Sequence, residues 1–267
     1  MGWFQASVLS LVQGLTEFLP VSSSAHLILV PAMLGWEDQG LAFDTTVHLG
    51  TLLAVLSYFK QDLKKMIKDF LLSLKGAIIT PEAKIFWSVG FATIPVGLAG
   101  ILCKNFIENS LRSPLVIAST TIGFGLILWL SDKLSKQQRQ LTKINWQDVI
   151  IIGASQALSL IPGTSRSGIT LTAGLWRGFT REAAARFSFL LSIPVICLAG
   201  GLETISLLRS QEPVDWGILG LGLSLSAISG YFCINVFLKL LSKVGLFPFV
   251  VYRLCLGAFL LFHFLRF

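Results

Sequence analysis

The sequence is poor in charge. Only 13% of its 267 residues are Asp, Glu, Lys or Arg, where a soluble domain carries about a quarter. So few ionised side chains cannot cover a water-exposed globular surface, and the mean hydropathy of +0.75 agrees. Cysteine is scarce and scattered: Cys103, Cys197, Cys233 and Cys255 stand alone in apolar segments. With no CxxC pair and no metal-ligand spacing, the thiols read as small core residues and say nothing of redox compartment. There is no HExxH zinc motif, no Walker loop and no GxSxG nucleophile elbow, which removes three large enzyme classes. The N-terminus has no basic stretch and does not read as a cleavable signal peptide.

What is abundant is apolar sequence, 54% of the chain, in recurring runs near the roughly 20 residues that cross a bilayer. The fold class is all-α: a polytopic helical membrane protein. Six full spans are expected near 41–59, 84–103, 113–131, 183–204, 215–239 and 248–266. Two further apolar regions, near 3–34 and 146–177, are interrupted by Pro followed by Ser or Thr. Pro ends a helix and Ser or Thr caps the next. Each region is too short and broken for two crossings, so both read as re-entrant helical hairpins.

The net charge of +7 lies in segments between spans. It reads as topology and contact with membrane lipids, not as nucleic-acid binding. If the six spans alternate, fifteen of the 21 basic residues share one side. They are Lys60, Lys64, Lys65, Lys68, Lys75, Lys84, Lys133, Lys136, Arg139, Lys143, Arg177, Arg181, Arg186, Lys239 and Lys243. Lys104, Arg112, Arg209 and Arg266 fall opposite. The bias makes the first side cytoplasmic, puts both termini outside, and sends the first hairpin in from outside and the second from the cytoplasm. The chain is then one membrane domain, 1–267. Its halves, about 1–131 and 146–266, form an inverted-topology repeat joined by a cytoplasmic loop at 132–145. Such repeats are common in transporters.

The hairpin tips share a pattern. Gln13-Gly14-Leu15-Thr16 leads to Pro20-Val21-Ser22-Ser23, and Gln156-Ala157-Leu158-Ser159 leads to Pro162-Gly163-Thr164-Ser165, once one residue of gap is allowed. Only the first tip carries an acid and a histidine, Glu17 and His26; only the second carries Arg166. Gln13 and Glu17 share a helix face. His26 lies three residues from Ser23 and four from Ser22, the usual pairing for activating a hydroxyl. Glu17 can orient that histidine, share a proton with it, or hold a divalent cation with Gln13. In the second tip Thr164 and Ser165 cap a short helix whose free N–H groups suit an anion, and Arg166 adds a fork matched to phosphate. Ser22, Ser24 and Ser167 read equally well as caps or as ligands. Asp44, Glu203 and His263 read as interfacial, His48 as bonded to a neighbouring carbonyl or as lining the site, and Arg253 as snorkelling to the cytoplasmic edge.

At these residues the chain resembles the undecaprenyl-pyrophosphate phosphatase family, integral-membrane enzymes linked to bacitracin resistance. Gln13-x-x-x-Glu17 is similar to the family's (Glu/Gln)-x-x-x-Glu motif, Pro20 to His26 to its PVSS-x-x-H segment, and Pro162 to Gly168 to its PG-x-SRSG segment. The likeness covers essentially the whole chain. It implies hydrolysis of undecaprenyl diphosphate to the monophosphate and phosphate on the outer face of the bacterial cytoplasmic (inner) membrane, which recycles the lipid carrier for cell-wall synthesis. It implies a divalent cation, Mg²⁺ or Ca²⁺, at Gln13 and Glu17. By position Glu17, Ser23, His26 and Arg166 take the catalytic roles. Ser22, Ser24, Thr164, Ser165, Ser167 and Thr170 bind phosphate. The partner is a polyprenyl diphosphate lipid, and a homodimer is left open. Gln13 stands where some members have Glu, and Ser24-Ala25 replaces a common Thr-Gly.

The expected course is attack of Ser23 on the terminal phosphorus, with His26, positioned by Glu17, handling protons. Activated water and His26 itself are the alternative nucleophiles. The competing class is transport, which uses the same kind of repeat but does not need a Ser/His/Glu cluster facing an arginine.

Overall fold

The structure, a computed structural model, describes residues 1–103, 106–107, 110–111, 113–209 and 215–265. Lys104, Arg112 and Arg266 lie outside the described residues, as does the side chain of Arg209.

Among the described residues eleven α-helices follow one another: α1 (Trp3–Thr16), α2 (Ser23–Leu34), α3 (Leu41–Tyr58), α4 (Lys60–Leu74), α5 (Pro81–Leu102), α6 (Pro114–Leu134), α7 (Trp146–Ala157), α8 (Arg166–Trp176), α9 (Arg181–Arg209), α10 (Trp216–Val244) and α11 (Phe247–Leu265). Six of them, α3, α5, α6, α9, α10 and α11, are long and apolar enough to cross a membrane, so the protein is a multi-pass membrane protein. Their starts are written locally. Pro81 and Pro114 open α5 and α6 behind the caps Thr80 and Ser113, whose hydroxyls accept from Ala83 N at 3.2 Å and Val116 N at 3.3 Å.

The broken regions appear as α1–α2 and α7–α8. Trp3 opens α1 and Trp146 opens α7, and the same 143-residue offset relates Gln13 to Gln156 and Ser22 to Ser165. Ser22 and Ser165 both take left-handed φ, 72° and 71°, one residue before α2 and α8 begin. The backbone therefore matches the tips without a gap. The gapped alignment paired Ser23 with Ser165, whereas the fold puts Ser23 opposite Arg166.

Close backbone packing seats these pieces. A Cβ on Gly14 of α1 would lie 2.7 Å from Ser226 O and 2.9 Å from Gly230 N of α10. A Cβ on Gly153 of α7 would lie 2.9 Å from Ala92 O of α5. Small residues at such crossings are how apolar helices approach without a hydrophobic drive. The lysine-rich segment between the expected spans 41–59 and 84–103 begins with α4. Its apolar residues Leu63, Met66, Ile67, Phe70, Leu71 and Leu74 recur at helical spacing. Met66 is buried, and Phe70 stacks on Phe86 with ring centroids 4.3 Å apart. The many lysines masked that stripe.

The 135–145 segment is tied down at the start of α7. Asp148 is fully buried. It receives Arg139 Nη1 at 2.9 Å, Arg139 Nη2 at 2.6 Å and Arg177 Nε at 2.7 Å, and completes a capping box with Asn145. Burial alone would push its pKa up, but the hydrogen bonds from Arg139 and Arg177 outweigh this and hold the carboxyl below its ordinary value. The resulting stability is fully present above the unfolded carboxyl's pKa of about 4 and is lost as pH falls through the lower folded value. Asp148→Asn is expected to cost about 3 kcal/mol near neutral pH by leaving two arginines short of a partner. Thermal melts of the purified chain should show this gap narrowing below about pH 4; a gap constant with pH would contradict it.

Candidate active site

The two left-handed serines open onto a cavity of about 210 Å³. Glu17, Ser22, Ser23 and Ser24 border it from the first tip, Ser159, Ser165 and Arg166 from the second, and His48, Glu203 and the apolar Val96, Val195 and Ile196 from the spans.

Glu17 is its centre. Arg166 Nη2 donates to Oε1 at 2.8 Å, and Ser23 Oγ donates to Oε2 at 2.6 Å. Gln13 Nε2 reaches Oε2 at 3.1 Å from one turn earlier in α1. Arg166 Nη1 is fixed by Ser188 O at 2.7 Å. The carboxylate is 8% exposed and the guanidinium side chain 12%, a desolvated pair whose members come from opposite ends of the sequence. Two hydroxyl pairs repeat by the same offset: Ser22 Oγ lies 3.4 Å from Ser24 Oγ, and Ser165 Oγ lies 3.2 Å from Ser167 Oγ. Ser165 Oγ also caps α8 by accepting from Gly168 N at 3.1 Å.

The tips meet, but not as the spacing suggested for His26. Its Nδ1 lies 2.7 Å from Ser22 O, so it carries the proton and donates there. Its Nε2 accepts from Tyr252 Oη at 2.5 Å. Both nitrogens are engaged, and His26 bonds neither Ser23 nor Glu17. One helical turn set the residue in the right neighbourhood, while Tyr252 on α11 turned the ring away. The histidine that faces Glu17 is His48. Its Nδ1 donates to Asp44 O at 2.7 Å, which leaves Nε2 an acceptor in the neutral ring, 3.9 Å from Glu17 Oε2. The neighbouring-carbonyl bond expected of His48 is present, and the residue borders the cavity as well.

Thr164 is fully buried and its Oγ1 has no hydrogen-bond partner among the described residues. Ser167 Oγ donates to Leu19 O at 2.7 Å, stitching one tip to the other. Thr170 stands behind Arg166, donating to Arg166 O at 2.9 Å and meeting Ser188 Oγ at 2.7 Å. Neither Thr164, Ser167 nor Thr170 borders the cavity. Glu203 does, and accepts from Thr45 Oγ1 at 2.7 Å, so it is more than an interfacial charge. Arg253 does not snorkel: it is 0% exposed and its guanidinium lies against the carbonyls of both tips. An arginine two turns inside an apolar span was the signal for it.

The donor set has room for a hard cation but does not complete a site. Among the described residues no three His, Cys, Asp or Glu side chains cluster for a metal. Gln13 Oε1, buried beside Glu17, has no hydrogen-bond partner among the described residues. An amide oxygen and a carboxylate oxygen are donors of the kind that Mg²⁺ or Ca²⁺ takes.

The model of the family described as bacitracin resistance protein BacA matches residues 6–259. A protein of Stutzerimonas stutzeri named undecaprenyl-diphosphatase 2 is 58% identical over 264 residues, 98% of each chain. An undecaprenyl-diphosphatase of Thioalkalivibrio sulfidiphilus is 56% identical over 99% of this chain and 100% of its own. One of Nitrosococcus oceani is 54% identical over 99% and 100%. Identity of this extent across whole chains settles membership: this chain belongs to the BacA bacitracin-resistance family.

Proposed function

We propose that this chain is an undecaprenyl-diphosphatase, releasing phosphate from undecaprenyl diphosphate and returning the lipid monophosphate for cell-wall synthesis. The observation that carries the reading is the Ser23–Glu17–Arg166 chain of hydrogen bonds joining the two tips in one cavity. A pure carrier needs an anion site but has no use for a hydroxyl bonded to a carboxylate.

The diphosphate enters the cavity while the polyprenyl tail stays in lipid. Its charge competes with Glu17 for Arg166, and the guanidinium turns part of its fork to phosphate oxygens. The N–H groups at the starts of α2 and α8 add the field of two helix N-termini. Ser23 Oγ attacks the terminal phosphorus. The Oγ–P bond forms, the bond to the bridging oxygen breaks, and the lipid monophosphate leaves. Glu17 Oε2, already 2.6 Å from Oγ, takes the serine proton. Water then attacks the phosphoserine, phosphate departs, and Oγ regains a proton. His26 acts by holding Ser22 in its left-handed turn, and so aims Ser23. Ser22, Ser24 and Ser165 offer hydroxyls to the phosphate, with Thr164, Ser167 and Thr170 supporting them. A divalent cation, held by Gln13 Oε1 and Glu17 when bound, would neutralise phosphate charge.

The matched offsets of α1–α2 and α7–α8 support two re-entrant hairpins in an inverted repeat within one membrane domain. Glu203, late in α9, and Thr45, early in α3, meet at the cavity. By the lysine and arginine bias these are the outer ends of both spans, which supports a site open to the outer face of the cytoplasmic membrane.

Purified protein given a C15 or C55 diphosphate is expected to release phosphate in a cation-dependent way. Ser23→Ala should lose at least about a thousandfold in kcat, and rapid quenching of the wild type should trap phosphate on Ser23. Full activity in Ser23→Ala would sink the serine step. Gln13→Glu, which makes a carboxylate pair, is expected to lower the cation concentration for half-maximal rate by about tenfold; an unchanged metal titration removes Gln13 from the metal site.

A further inference from the structure

Arg253 lies about a third of the way along α11 and is fully buried, with no ion pair to a carboxylate among the described residues. A guanidinium has five N–H donors in a fixed planar fork, and all five are engaged by backbone carbonyls. Nε donates to Thr121 O at 3.0 Å. Nη1 donates to Pro20 O at 3.1 Å and Thr164 O at 3.0 Å. Nη2 donates to Gly163 O at 2.9 Å and Thr120 O at 3.4 Å. Thr120 and Thr121 belong to α6; Pro20 belongs to the first tip; Gly163 and Thr164 belong to the second.

We infer that Arg253 is a positioning residue for phosphoryl transfer, fixing the first tip against the second so that Ser23 and Arg166 address one phosphate; this rests on the phosphatase reading above. One nitrogen, Nη1, bonds both tips. Pro20 is two residues before the left-handed Ser22, and Thr164 is one before the left-handed Ser165, so the grip falls just upstream of each strained turn. A trans peptide holds its C=O and N–H antiparallel. Bonding Thr164 O therefore turns the Ser165 N–H away from Arg253, at a residue that borders the cavity. Tyr252, next on the same helix, holds His26, which holds Ser22 O. Lysine keeps the charge but has three donors on a single nitrogen, and it cannot span α6 and both tips.

The full chain in lipid nanodiscs decides this, as wild type, Arg253→Lys and Arg253→Gln, with a C15 diphosphate as probe. In Arg253→Lys kcat should fall about a hundredfold, the usual cost of a misplacement near 1 Å, with KM unchanged because the tail and cavity remain. Amide exchange should lose protection in 18–24 and 161–168 together while the six spans keep theirs. Arg253→Gln should be weaker still. Near wild-type kcat in Arg253→Lys, or unaltered exchange in either tip, overturns the inference. So does failure of both variants to fold, or loss of protection throughout the spans, since Arg253 would then serve folding alone. A wild type that releases no phosphate defeats the phosphatase reading instead, and the exchange pattern still decides the role of Arg253.

Discussion

Peptide groups at membrane depth have no water to bond, so every carbonyl and N–H freed by a broken helix must find its partner inside the protein. This chain breaks two of its helices, and a polar network between the breaks satisfies the groups they free. The freed acceptors are gathered on one side. Arg253 takes Pro20, Gly163 and Thr164, Thr120 Oγ1 takes Pro162 O at 2.6 Å, and Ser167 takes Leu19. The helix starts face the other way, where Ser22 to Ser24 and Ser165 to Arg166 border the cavity. Acceptors bonded behind and donors open in front make an anion cradle, in which Arg166 and, from the rear, the buried Arg253 offset the charges of Glu17 and Glu203.

The two tips share a scaffold and differ in what they mount on it. At the first position of the helix after each left-handed serine, one carries Ser23 and the other Arg166. A single site in the repeat thus becomes a hydroxyl on one side and a cation on the other. Glu17 has Leu160 at the matching offset, so the acid exists once and bonds both. Near-symmetry supplies the geometry, and these substitutions supply the direction of the chemistry.

Much of this was legible in the sequence because its cause is local. Spans follow from apolar length, and each expected span is found within a few residues. The broken helices follow from Pro and Ser, and the meeting of Glu17, Ser23 and Arg166 follows from polar residues having nowhere else to go in hydrocarbon. What escaped depends on long-range packing. His26 lies one turn from Ser23, yet its ring is turned by Tyr252, which is 226 residues away in sequence. Glu203 reaches the cavity only because α9 crosses α3. The helix α4 escaped for a different reason: its lysines outweighed an apolar stripe of helical period.

The Glu17–Arg166 pair also bears on how such a chain is made. Its members are 149 residues apart, which at typical synthesis rates is an interval of roughly ten to thirty seconds. For that time the first tip would hold an acid in a half-built bundle with no cation to meet it. Protonation, or waiting near the headgroups, would keep the acid neutral or hydrated until the second tip enters. The Glu17–Arg166 contact is then one of the last features to form, and an incomplete chain in the membrane carries Glu17 and Ser23 without Arg166.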